Sequence, residues 1–211
     1  NKVKIAVDAM GGKGSPKKII EGIEISLKSN QENFFYLYGK KDLLEKEISK
    51  RKDLQKYCEI INTEDVVLDD ESALAGAKKS KNSSMWKAVQ SLSEKNSDIS
   101  LSAGNTGALL VISRLLLKTI AGISKPALAG LWPNQNSMNV VLDLGANIEC
   151  TEKNLTDFAC MGSALFKSLF ANDKPKIALL NVGLEEYKGN DVLKKTFSIL
   201  KENKMKNFEF S

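Results

Sequence analysis

Val3-Lys4-Ile5-Ala6-Val7-Asp8-Ala9-Met10-Gly11-Gly12 opens the chain with an apolar, β-branched run that ends in paired glycines. The run reads as a buried strand, and the glycines allow a sharp turn after it. Ser15 is placed as an N-cap with Pro16 at the first helical position. Ile19, Ile20, Ile23 and Leu27 then follow at helical spacing. Strand, glycine turn and helix recur along the chain. Strands are expected over 34–38, 59–61, 66–68, 99–101, 127–131, 140–144 and 176–180. Helices are expected over 42–50 (Leu43, Leu44 and Ile48 on one face), 84–93, 108–119, 156–170 (Phe158, Leu165, Phe166 and Leu169 inward) and 191–201 (Val192, Leu193, Phe197 and Leu200). Residues 69–81 show no clean period. Buried strands alternating with amphipathic helices indicate an α/β fold with a mostly parallel sheet covered on both faces.

Composition narrows the chemistry. The chain has 211 residues, 42% hydrophobic, and no histidine. That length buries a sizeable core without disulfides or a structural metal. Absence of histidine excludes Ser-His-Asp and Cys-His nucleophile pairs, histidine metal ligands and an imidazole base. Cys58, Cys150 and Cys160 form no C-x-x-C pair, which argues against a disulfide framework and a zinc site, and favours a reducing cytoplasm. Neither a metal nor a cofactor is expected. The net charge of +5 rests almost wholly on lysines interspersed with Asp and Glu, Arg51 and Arg114 being the only arginines. That pattern is a solvated surface rather than a nucleic-acid footprint. No apolar run approaches the roughly 20 residues of a membrane span, and no signal peptide is expected.

Four expected strands end in loops of small and amide residues: 8–12, 102–107, 145–147 and 181–183. In open α/β sheets ligands bind beyond the carboxyl ends of the strands, so these loops are expected to line one crevice. Ser102-Ala103-Gly104-Asn105-Thr106-Gly107 is the most informative. It leads into a helix N-terminus, where backbone amides and hydroxyls suit a phosphate, although a small-residue packing turn is an equal reading. It has neither Walker nor dinucleotide-fingerprint spacing. Lys188, within Glu185-Glu186-Tyr187-Lys188-Gly189-Asn190, is either a surface ion pair or a cation able to neutralise an oxyanion. Asp8 and Asp143 either orient a ligand or bond nearby amides, and the Ser83-Ser84 pair reads first as a helix cap.

Taken in order, several strings resemble the bacterial phosphate acyltransferase family PlsX. They are Ile5-Ala6-Val7-Asp8-Ala9-Met10-Gly11-Gly12, Lys81-Asn82-Ser83-Ser84-Met85, Ser102 to Ala108, Gly122-Ile123-Ser124-Lys125-Pro126-Ala127, Leu142-Asp143-Leu144-Gly145-Ala146-Asn147 and Leu179-Leu180-Asn181-Val182-Gly183 with the Lys188 string behind it. The resemblance implies a three-layer αβα sandwich like that of phosphotransacetylases and isopropylmalate dehydrogenase, working as a homodimer. It implies a reaction of inorganic phosphate with long-chain acyl-acyl carrier protein, giving acyl phosphate for phospholipid synthesis. On that basis Ser102, Gly104, Asn105, Thr106 and Gly107 are expected to hold phosphate and Lys188 to be catalytic. Asp8, Gly11, Gly12, Ser84, Asp143, Asn147, Asn181 and Gly183 are expected to line the substrate pocket. Any membrane contact would be peripheral.

The chain departs from the family pattern in three places. Lys13-Gly14 stands where the family usually has Asp-His. The arginine often found before the Ser-Ser-Met string is replaced by Lys78 or Lys79. The sequence ends where the family continues for roughly a further third, so residues 1–211 are expected to form a single α/β acyltransferase domain without the family's C-terminal part. Two rival functions remain open at the level of sequence: a catalytically impaired module that binds phosphate or carrier protein, and a short-chain phosphotransacetylase using coenzyme A.

Overall fold

The computed structural model describes residues 2–72, 76, 81–135, 137–171, 174–183, 185, 187–202 and 208–210. Lys78, Lys79 and Glu186, singled out in the sequence, lie outside them. The chain divides into two compact units, Asn1–Lys118 and Thr119–Ser211. No helix among the described residues is long and apolar enough to cross a membrane.

The first unit is built on four parallel strands, β1 (Lys4–Asp8), β2 (Phe34–Gly39), β3 (Cys58–Asn62) and β4 (Ile99–Ser102), in the order β3-β2-β1-β4. Alternate residues of the central strands serve opposite faces, as a pleated strand requires. Val7, Phe35 and Leu37 join Ile20, Ile23 and Leu27 of α1 (Lys17–Ser29) and Leu44 and Ile48 of α2 (Lys41–Ile48). Ala6 and Tyr38 pack with Ala88 of α3 (Ser84–Ser93) on the other face. Met85 and Val89 of α3 meet Ala108 and Ile112 of α4 (Thr106–Leu117). From β1 the chain moves outward through β2 and β3, then returns to place β4 on the other side of β1. The strand order therefore reverses between β1 and β4, the position at which open α/β sheets bind ligands.

Several expectations are corrected here. Ser15 does not cap α1: its hydroxyl donates to the Gly11 carbonyl, and Pro16 occupies the cap position without a side-chain bond. Residues 66–68 form no strand. Asp65 makes a lone bridge to Ser83, and Val67 is buried in the cluster with Met85 and Ala108. Leu43 is exposed, since α2 turns only Leu44 and Ile48 inward.

In the second unit, β5 (Gly130–Pro133) and β6 (Met138–Val141) form an antiparallel pair. They sit a few residues away from the expected 127–131 and 140–144. Asn134 closes the turn between them: its amide donates to the Ser137 carbonyl and its side chain accepts from the Ser137 amide. So short a connection permits only antiparallel pairing. Helix α5 (Glu152–Leu169), capped by Thr151, starts four residues before the expected Thr156. It buries Phe158 but leaves Leu165 and Leu169 exposed, against expectation. The expected strand 176–180 shrinks to β7 (Lys176–Ile177), which pairs in parallel with β8 (Glu209–Phe210), and Leu180 is 88% exposed. Helix α6 (Asp191–Glu202) supplies Leu200 to a cluster with Ala159 and Phe208.

Candidate functional site

At the β1/β4 reversal, the two glycine loops are joined through one buried carboxylate. Asp8 ends β1 with 1% of its surface exposed. Its Oδ1 accepts from the amides of Met10 (3.3 Å) and Gly11 (3.1 Å), shaping the turn after the strand. Its Oδ2 accepts from the Ser102 hydroxyl at 2.6 Å, and that hydroxyl in turn accepts from the Gly104 amide at 3.1 Å. The chain Asp8–Ser102–Gly104 thus fixes the β4 loop to the β1 loop. Small residues permit this approach: a Cβ on Gly11 would run into the Asp8 carboxylate and lie 2.9 Å from the Gly104 amide nitrogen. Gly12 has φ +84° and faces the Ala103 carbonyl with no room for a side chain.

Beyond the clamp, α4 begins at Thr106. Asn105 caps it, its Oδ1 accepting from the Ala108 amide at 3.0 Å. Its Nδ2 lies within hydrogen-bond distance of the carbonyls of Leu68, Asp69 and Glu71 (3.4, 3.2 and 2.9 Å). The Asn105 amide, expected to add a donor for an anion, instead holds the 68–71 loop against the start of α4. The amides of Thr106 and Gly107 remain in the first turn, where a helix has no intrahelical acceptor to offer, and Thr106 is exposed. Ser83 caps α3 by accepting from the Trp86 amide, as the sequence suggested. Ser84 is fully buried, and its hydroxyl has no hydrogen-bond partner among the described residues. Asp8, Gly11, Gly12, Ser102, Gly104 and Asn105 are therefore brought together in the first unit.

The second unit holds Asp143, Asn147, Asn181, Gly183 and Lys188. Asp143 works as a loop clamp like Asp8: Oδ1 accepts from the Leu128 amide (2.7 Å) and Oδ2 from the Asn147 amide (2.6 Å). Asn147 continues the tie by donating from Nδ2 to the Pro126 carbonyl at 2.9 Å. Asn181 accepts from the Val182 amide and donates to the Lys188 carbonyl at 3.1 Å. Lys188 is half-buried, its ammonium 5.7 Å from the centre of the Tyr187 ring. No carboxylate among the described residues lies within ion-pair distance of it.

One polar network escaped the sequence reading. Asp157 of α5 accepts from the Ser124 amide and hydroxyl and from Lys153, while Asn154 donates to the Ser124 hydroxyl at 2.7 Å. Burial pushes the Asp157 carboxyl upward, but the bonds from Lys153 and Ser124 outweigh it and hold the group below its ordinary value. The i, i+4 spacing of Lys153 and Asp157 was the available signal. The thiols are unsuited to nucleophilic attack. Burial pushes Cys58 up to about 12. It also raises Cys150 and Cys160, helped by the charges of Asp143 and Asp157 respectively.

Comparison with known proteins agrees with this architecture. The phosphotransacetylase from Streptococcus pyogenes superposes with a TM-score of 0.69 at 16% identity, covering 100% of this chain and 67% of that one. The EutD phosphotransacetylase from Staphylococcus aureus gives 0.66 at 15%, covering 100% of this chain and 68% of that one. At such identity the likeness concerns the fold, and it supports the α/β class with a mostly parallel central sheet. In sequence, the chain is 56% identical over 208 residues to the phosphate acyltransferase of Pelagibacter ubique, and 42% identical over 212 residues to that of Neorickettsia sennetsu. Each alignment covers 99% of this chain and 62% of the relative, so the chain spans less than two thirds of their length. The family model described as "Fatty acid synthesis protein" matches residues 3–210. Nearly every residue of the chain thus falls within one match, and the chain belongs to that fatty acid synthesis protein family.

Proposed function

We propose that this chain carries the phosphate-handling part of an acyltransferase that converts long-chain acyl-acyl carrier protein and inorganic phosphate to acyl phosphate and free carrier protein, feeding phospholipid synthesis. The observation that carries the reading is the pair of glycine loops locked by Asp8 and Ser102 at the strand reversal, with the first-turn amides of α4 beside them. An anion is favoured there by the helix dipole and by the amides themselves. Thr106 and Gly107 donate to the phosphate. Ser102 and Gly104 shape the loop, and Asn105 holds its outer wall. Asp8, Gly11, Gly12, Ser84, Asp143, Asn147, Asn181 and Gly183 belong to the substrate pocket or its frame.

In the reaction a phosphate oxygen attacks the thioester carbonyl carbon. The C–O bond forms, and negative charge gathers on the carbonyl oxygen. The tetrahedral intermediate then collapses, the C–S bond breaks, and the carrier's thiolate leaves to be protonated by water. Phosphate is anionic at neutral pH and a thiol of pKa about 8.5 is a fair leaving group, so orientation and charge stabilisation suffice. Lys188 neutralises the developing oxyanion. The partner is acyl carrier protein, and the protein acts as a cytoplasmic homodimer.

Incubation with palmitoyl carrier protein and phosphate tests the reading through thiol release and hydroxylamine trapping of acyl phosphate. Lys188→Ala is expected to lower turnover by about 100-fold or more with the fold intact. Thr106→Val is expected to raise the phosphate KM by about tenfold, the scale of one hydrogen bond to a charged group. Saturable binding without product, or product only from acetyl coenzyme A, would replace the reading by a binding module or a short-chain enzyme.

A further inference from the structure

The segment that carries Lys188 is tied together through the backbone of that residue. Asn181 lies seven residues before it and joins two backbone groups through one amide. Oδ1 accepts from the Val182 amide at 2.9 Å, and Nδ2 donates to the Lys188 carbonyl at 3.1 Å. The Lys188 amide is held as well, donating to the Glu185 carbonyl at 3.0 Å. Both backbone polar groups of Lys188 are therefore tied into the same short loop. Next in sequence, Gly189 has φ +88°, and a Cβ there would stand 2.6 Å from Asn181 Oδ1. The chain turns against the Asn181 amide at a point where only glycine fits.

Gly183 completes the arrangement. A Cβ on it would lie 2.6 Å from Glu185 Oε2, 3.1 Å from Lys188 Cγ and 3.5 Å from Cδ. The aliphatic stem of Lys188 thus rests on the bare backbone of Gly183, while Asn181 anchors the root of the same residue. Immobilising a lysine ammonium otherwise costs rotamer freedom along its four-carbon stem, so a stem ordered in advance lowers the cost of using the charge.

We infer that Asn181 and Gly183 are positioning residues for Lys188: the Asn181 side-chain amide tethers the lysine's carbonyl and Gly183 supplies the surface on which its stem lies. The inference rests on the reading of Lys188 as the cation that meets phosphate. It changes the part of Asn181 from lining a pocket to acting through Lys188.

Competitive acetylation of the full chain with acetic anhydride, read lysine by lysine by mass spectrometry, tests the tether without depending on turnover. Exposed Lys28 serves as internal reference. Asn181→Asp keeps the acceptor for the Val182 amide but removes the donor to the Lys188 carbonyl, whereas Asn181→Ala removes both. Both variants are expected to raise the acetylation rate of Lys188 relative to Lys28 by roughly fivefold, the scale of one net hydrogen bond. Gly183→Ala, whose Cβ would meet Glu185 Oε2 as well as the Lys188 stem, is expected to displace the stem and raise it as well. In the wild type, inorganic phosphate is expected to slow acetylation of Lys188, and in Asn181→Asp roughly fivefold more phosphate should be needed for the same protection. A wild-type Lys188 rate in Asn181→Asp would overturn the tether, whatever phosphate does. Wild-type Lys188 indifferent to phosphate would instead remove it from phosphate handling, leaving the tether to be judged by the variant rates.

Discussion

Asp8 is an acidic side chain almost wholly withdrawn from solvent at the end of a central strand, and three hydrogen bonds from Met10, Gly11 and Ser102 occupy it. Each oxygen is used differently, and this makes the site sensitive to an isosteric change. In Asp8→Asn, an Oδ1 amide oxygen still serves the Met10 and Gly11 amides. The new Nδ2 group then faces the Ser102 hydroxyl, which must stop donating and accept from it while continuing to accept from the Gly104 amide. The hydroxyl proton is left without its acceptor. Because Ser102 is part-buried, leaving its donor unsatisfied costs toward the low end of the usual penalty, about 1 kcal/mol. Urea denaturation of Asp8→Asn should therefore show a midpoint clearly below the wild type, with Ser102→Ala similar because it strips the acceptor from Gly104. A wild-type midpoint in Asp8→Asn would show that the clamp contributes nothing to the joining of the loops.

At the scale of elements, periodicity revealed α1, α3, α4 and α6 because each carries apolar residues at helical spacing on one face. It placed the start of α5 too late, since Glu152, Lys153 and Asn154 are polar and carry no such signal. The true start is a capping box in which Thr151 and Asn154 exchange side-chain bonds, with Asn where Glu or Gln is usual. The loop ends of β1 and β4 were legible from their glycines. The Asn105 contacts to 68–71 were not, because they join residues more than thirty apart through backbone carbonyls. The first turns of α5 also yield a pH prediction. The Asp157 carboxyl lies below its ordinary value in the folded chain, so the unfolded chain binds its proton more readily. Its contribution to stability is present above about pH 4 and is lost as pH falls through the lower folded value. Asp157→Asn should be less stable than wild type at pH 7, and the gap in Tm should close as pH drops below about 4. A gap of constant size across that range would detach Asp157 from the acid response.

Across the whole chain the two units differ in how much core supports them. The first buries Val7, Ile20, Leu37 and Leu44 on one face of its sheet and Met85, Val89 and Ile112 within the helices on the other. In the second, the buried cluster among the described residues consists of Ala159, Leu200 and Phe208. Leu180 and Val182 meanwhile stand open to solvent at 88% and 85% exposure. Apolar burial is the dominant favourable term in folding, so the second unit should open at lower denaturant than the first. The cysteines report this without added labels, since Cys58 belongs to the first unit and Cys160 to the second. Burial holds both thiols above their ordinary pKa, which keeps them slow to react while folded. Brief pulses of iodoacetamide along a urea series should therefore modify Cys160 at a lower urea concentration than Cys58, with mass spectrometry assigning each adduct. Coincident curves would mean that the two units unfold as one cooperative body, and the difference in their cores would then have no separate consequence for stability.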